Sequence, residues 1–236
     1  MFGVSDGRRL CAAGGRVVVG FALAGLVFQA WGDRGTAEAR PASVLKVKYY
    51  LIAGSTAGQL DRQMTTRGPV HGRGRAYANL VVKPDYSGQL VQGRSCKIRN
   101  FNISAEFTMT LPKLAPGTRL SGDLKSRWNS FQAFAKRHEE GHRTIWLDSM
   151  GKAERRIKTL SARSCSELDR RIDQVFDEEW QKSERRQDAY DLAEQKKLSK
   201  HPLIVAATRV PRAKAQAIAA SQSNYARAVR LRKRTN

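Results

Sequence analysis

The hydrophobic repeat of this chain changes period once, near residue 120, and that change limits the fold more than any other feature. Before it, apolar residues alternate. "SVLKVKYYLIAGST" sets Leu45, Val47, Tyr49 and Leu51 against Lys46 and Lys48, the period of two that a strand with one buried face requires. Ser55 or Thr56 then offers an N-cap, and Leu60 and Met64 the spacing of a short helix, which "TTRGPVHGRGR" ends. "RAYANLVVKPDY" reads as a second strand. In "CKIRNFNISAEFTMTLP" Phe101, Ile103, Ala105, Phe107, Met109 and Leu111 share one face. Cys96 and Ile98 fall on the opposite phase, so a bulge or twist is expected near Asn100.

From Ser121 onward Leu124, Trp128, Phe131, Ala135, His138, His142 and Ile145 recur at three and four, a single helical stripe with both histidines on its buried side. This helix is expected to reach about Leu160. "SARSCS" then makes a turn in which Ser164 or Ser166 caps a second helix running to about Leu198. The second stripe is Leu168, Ile172, Val175 and Phe176, with Glu179, Arg186 and Tyr190 at the same angular positions further on. Strands followed by helices give an α+β fold: a small antiparallel sheet, then a long antiparallel two-helix hairpin.

The two ends of the chain are of another kind. Arg8, Arg9 and Arg16 precede or border an apolar run at 17–28, and Ala37-Glu38-Ala39 follows, the layout of a signal peptide cleaved after Ala39. That run is shorter than the roughly twenty residues of a spanning helix, so no transmembrane anchor is expected in the mature chain. The protein is therefore expected to be secreted or periplasmic. Cleavage removes Cys11 and leaves Cys96 and Cys165, which predicts a disulfide, two separate buried thiols being the alternative. After His201 there are eight Lys or Arg and no Asp or Glu. Residues 201–236 accordingly read as a basic, alanine-rich tail, mobile or surface-helical, after one domain at 40–200.

A formal charge of +22 favours anionic partners such as an envelope or membrane surface, reached through that tail. Nucleic acid is disfavoured: basic residues are not interleaved with aromatics on a strand, and no paired-helix reader is present.

Within the first long helix stands "KRHEEGHRTIW". Residues four apart lie one turn above each other, so His138 and His142 can share one zinc ion, and Glu139 can take a proton from water at the open position. The rival is a charged helix in which two of four histidines fall in register. Their place on the buried stripe argues for metal. Gly141 costs about 1 kcal/mol against alanine in a helix, which calls for a close approach by another group or compensation by packing.

A catalytic zinc site needs a third protein ligand. A hairpin turning at 163 sets residue 184 opposite His142 and residue 188 opposite His138. Glu184, Asp188 and Asp191 then have suitable height, but Tyr190 points to the partner helix and Asp191 is about 100° off. Glu179 points inward but sits about 7 Å too far along. Height and direction disagree, and geometry alone selects none.

The chain resembles a bacterial family of predicted secreted zinc-dependent proteases, the domain-of-unknown-function 922 family. The shared residues are "YYLIAGST" at 49–56, the cysteine-led strand from Cys96, "RHEEGH" at 137–142, Cys165, and "AYD" at 189–191. The likeness spans about 44–195. It implies a zincin-like domain with His138 and His142 as zinc ligands and Glu139 as general base. Relatives continue after Tyr-Asp with Thr-x-His-Gly, where this chain has Glu194, Lys196 and Lys197. Asp191 is therefore expected as third ligand, with Glu179 and His201 as substitutes. Tyr190 is expected either in the core or as a donor to the tetrahedral intermediate.

The expected function is an exported zinc metallopeptidase acting on a peptide or protein. Its rival is an envelope-binding or structural module with a degenerate metal site, whose tail holds anionic polymer.

Overall fold

A computed structural model describes residues 41–71 and 74–208 of the chain. The signal peptide expected at 1–39 and most of the basic tail, 209–236, lie outside the described residues. The order is β1 (Ala42–Ile52), α1 (Ala57–Arg67), β2 (Val70–His71), β3 (Gly74–Arg75), β4 (Asn79–Gln92), β5 (Cys96–Leu114), α2 (Gly122–Lys158), β6 (Ser161–Ala162), α3 (Cys165–Leu198) and α4 (Pro202–Thr208). The fold is α+β, as the change of period requires.

The main sheet runs β1-β5-β4, with β6 antiparallel on the start of β5, and β2 and β3 form a separate short hairpin. The sheet is mixed where an antiparallel one was expected. Lys46 of β1 pairs with Glu106 of β5, and at the far ends of both strands the Ala115 N–H donates to the Ile52 carbonyl, so β1 and β5 run the same way. The long connection through α1 and β4 permits this crossover. Pro84, which lacks an N–H, falls in the edge strand β4, where a ladder bond is dispensable.

In β1 Leu45 packs against the core as expected, but the strand departs from its expected face after it. Val47, Tyr49 and Leu51 are exposed, while Tyr50 and Ile52 turn inward and Ile52 is fully buried. Alternation marks two faces but does not say which is covered, and β1 is an edge strand whose apolar row stays open. The expected irregularity in β5 is present. Asn100 has φ 51°, the left-handed region that Asn tolerates, and burial shifts phase there from Cys96 and Ile98 to Phe101 and Ile103.

The chain divides into two compact units interleaved in sequence. The first comprises 41–47, 80–109 and 139–191 of the described residues. Its core joins Phe101, Ile103 and Phe107 of β5 to Met150, Ala153 and Ile157 of α2 and Leu168, Ile172 and Val175 of α3. Each of these side chains larger than alanine contributes about 1.5–3 kcal/mol on leaving water. Phe176 and Tyr86 pack at 4.7 Å between centroids beside this core. Glu154 is buried but satisfied: its carboxylate accepts from the Ile103 N–H at 3.1 Å and pairs with Lys158.

Cys96 and Cys165 form a disulfide with Cα atoms 5.1 Å apart. It closes a loop of 69 residues, worth about 4 kcal/mol against the unfolded chain on loop-entropy grounds. Ser164 caps α3 by accepting from the Glu167 N–H. Ion pairs of Arg156 with Glu178 and of Asp148 with Arg186 show that α2 and α3 run antiparallel.

The second unit comprises 48–79, 110–138 and 192–208 of the described residues. Thr56 caps α1, which buries Leu60 and Met64. Phe131 is its aromatic centre, with Tyr77 edge-on at 5.6 Å, Trp128 at 6.0 Å and His201 edge-on at 5.6 Å. The Tyr50 hydroxyl donates to the Tyr77 carbonyl, and the Tyr77 hydroxyl to Asp61; burial raises both phenols well above their ordinary pKa. Residues 201–208, which the sequence places at the start of the tail, form the end of this packing. His201 and Leu203 are buried, and the short α4 lies against α1.

Candidate metal centre

The motif "RHEEGH" lies in the middle of α2, a helix of 37 residues and about 55 Å. Its neighbours explain why the helix is unbroken there. Leu124, Trp128, Phe131 and Ala135 are buried ahead of it, and Ser149, Met150 and Ala153 after it. Between them His138 and His142 are half-buried and Glu139 is only 3% exposed.

A ring nitrogen of His138, one of His142 and a carboxylate oxygen of Asp191 all lie within 4.8 Å of one another. These are the three residues the sequence nominated. Asp191 Oδ1 stands 2.9 Å from His142 Nε2. Neither substitute takes part. Glu179 is buried under Arg156 and Lys182, at 2.6 and 2.8 Å. His201 accepts the Leu203 N–H at Nδ1, capping α4, and its Nε2 meets the Ser130 hydroxyl. Glu194 pairs with Lys197.

Gln187 was not singled out from the sequence. Its Nε2 donates to the His142 carbonyl at 3.2 Å, which turns its Oε1 to within 2.5 Å of His142 Nδ1. One amide thus grips both the backbone and the ring of a single histidine. Nδ1 carries a proton towards Gln187, and Nε2 faces Asp191. Gln187 and Asp191 are four apart, so one face of α3 supplies both. That spacing was the available signal.

The His142 ring is held above its ordinary pKa. Burial works against its charged form, but the hydrogen bonds the ring can donate to Asp191 and Gln187, with the negative charges of Asp191 and Glu139, outweigh it.

Gly141 has its reason here. A Cβ at this position would lie 2.2 Å from the Tyr190 hydroxyl oxygen and 2.4 Å from its Cζ, so the phenol occupies the space a side chain needs. Tyr190 also stands edge-on to the His142 ring at 5.1 Å. Its observed role is packing against the motif.

The donor set suits a divalent metal of intermediate softness: two imidazole nitrogens and one carboxylate oxygen, with the far nitrogen of one imidazole already hydrogen-bonded. Two histidines with one carboxylate are a catalytic rather than a closed structural combination, because three ligands leave a position for water.

Residues 47–199 match the family described as "Bacterial protein of unknown function (DUF922)", and the chain belongs to that family. No curated protein and no solved structure matches the chain.

Proposed function

We propose that this member of the family is an exported zinc-dependent metallopeptidase. The observation that carries the reading is the convergence of His138, His142 and Asp191 on one point, beside the buried carboxylate of Glu139. Zinc bound there would act as a Lewis acid that brings the pKa of water towards neutrality and polarises a peptide carbonyl. Glu139, one residue from His138 and about 100° round the helix, accepts the proton of the attacking water and returns it to the leaving amine. Gln187 keeps His142 in the tautomer whose Nε2 lone pair is offered to the metal. The disulfide suits the oxidising compartment that export implies. Among the described residues no helix is long and apolar enough to cross a membrane.

A second reading has its own support. A His142 protonated on both nitrogens would find acceptors in Asp191 and Gln187, so the cluster is also coherent as a structural ion pair. An envelope-binding module with a degenerate site would need nothing more.

Zinc content and turnover separate the two. The purified mature chain, replenished with zinc and dialysed, is expected to hold about one ion. Glu139→Gln is expected to keep the ion and lose about 100- to 10,000-fold in peptide hydrolysis. A chain that holds no zinc, or a Glu139→Gln variant that cleaves as fast as the parent, overturns the peptidase reading.

A further inference from the structure

Within the first compact unit, α2 and α3 border a groove of about 490 Å³ lined by Ser149, Lys152, Glu179, Lys182, Arg185 and Arg186. Four of these are cations. The carboxylates that serve them are Glu179 and the neighbouring Asp148, and each is shared. Asp148 Oδ2 accepts from Lys152 at 3.0 Å and from Arg186 at 2.5 Å. Glu179 Oε1 accepts from Lys182 at 2.8 Å and from Arg156 at 2.6 Å.

One carboxylate oxygen thus faces two cations, twice over; Arg156 has Glu178 as a further partner, but the four lining cations are matched only by Glu179 and the adjoining Asp148, so the groove stays net positive. An ammonium has three donors and a guanidinium five, and these pairs use only some of them. Lys152, Lys182 and Arg186 are about half exposed, so the remaining donors are within reach of a ligand. Holding such cations together without an anion is unfavourable by like-charge repulsion.

Asp148 lies six residues beyond His142 on α2, and Arg186 five before Asp191 on α3, which places the groove about 8–9 Å from the metal centre along the helix axes. An extended peptide covers that distance in two or three residues, at about 3.3 Å each. The groove's α3 cations span about one helical turn, room for one or two carboxylates and not for the long phosphate track of a polymer.

We propose that this groove is a subsite for an acidic side chain of the substrate, two or three residues from the bond that is cut. The assignment rests on the peptidase reading and gives it a substrate class, peptides bearing Asp or Glu near the cleavage point.

The test uses the full mature chain without metal, so that binding is read independently of turnover. Fluorescence anisotropy compares a labelled decapeptide carrying two glutamates three residues from its centre with its glutamine counterpart. The parent is expected to favour the glutamate peptide at least tenfold. Arg185→Glu is expected to cut that preference at least fivefold, while Arg99→Glu, the same charge change at an exposed position of β5, leaves it intact. Three results overturn the proposal: no preference in the parent, equal losses in both variants, or tight binding of polyphosphate that the peptide fails to displace. Absence of zinc or of cleavage would sink the peptidase reading while leaving these affinities measurable, so the two failures are distinguishable.

Discussion

Near its closed end, the α2–α3 pair places Ile157, Leu168 and Ile172 in one apolar cluster, tied to β5 through Cys96–Cys165. Towards Asp191 the same two helices meet through His142, Gln187 and Tyr190. The first arrangement removes carbon from water and stabilises the fold. The second buries polar groups whose mutual bonds roughly offset their lost hydration, so its net contribution to stability is small. A fold gains little from such a cluster unless something else uses it.

That contrast can be broken at either end. Leu168→Ala, at a fully buried position, is expected to cost about 2–5 kcal/mol in urea unfolding, with zinc affinity of the folded fraction unchanged. Gln187→Leu is expected to do the reverse. Zinc affinity, read by competition with a chromophoric chelator, should fall about 10- to 100-fold, while the Tm moves by no more than a few degrees. Gln187→Glu should restore most of the affinity, since a carboxylate also accepts the Nδ1 proton. If Gln187→Leu instead unfolds the chain as Leu168→Ala does and leaves zinc affinity alone, the polar end is structural and the distinction fails.

The smallest effect lies between the two ends, at Glu179. Burial pushes its carboxyl up, but hydrogen bonds and charge from Lys182 and Arg156 outweigh that and hold it below its ordinary pKa. A folded-state pKa below the unfolded one means the stabilisation is full above the unfolded value and is lost as pH falls through the folded value. Because Arg156 and Lys182 are 40% and 51% exposed, the contribution is screened, below about 1 kcal/mol. Thermal unfolding followed from pH 7 to pH 3 should show a slightly shallower acid limb in Glu179→Gln than in the parent.

Much of the fold was legible in the sequence because local periodicity reports local burial. The helical stripe from Leu124 to Ala135, the cap at Ser164 and the phase shift at Asn100 each depend on near neighbours. What depends on distant partners was not legible. A period of two in β1 marks alternating faces, but the row Val47, Tyr49 and Leu51 stays open because nothing among the described elements covers it.

Asp191, the expected third ligand, shows the same limit in numbers. A hairpin turning at 163 puts residue 184 opposite His142, whereas Gln187 and Asp191 are what reach it. Asp191 is seven residues, about two helical turns or 10 Å, further on. The cause is the connection: the chain leaves α2 extended, lays Ser161 and Ala162 along β5, and starts α3 at the disulfide, so the two helices do not start level. Symmetry about a turn holds only when the turn is compact. Asp191 was reachable by resemblance at "AYD", and Gln187 only through its spacing from Asp191.

The tyrosine hydroxyl seated on Gly141 makes the interior of the motif depend on a residue forty-nine positions away. Any side chain at 141 meets that phenol first, so the two positions cannot change in either order: the ring at 190 must shrink before the glycine can be replaced. Across divergent sequences this would be read as a pair that varies together, and as a restriction on which spacers between the two histidines are viable in this architecture.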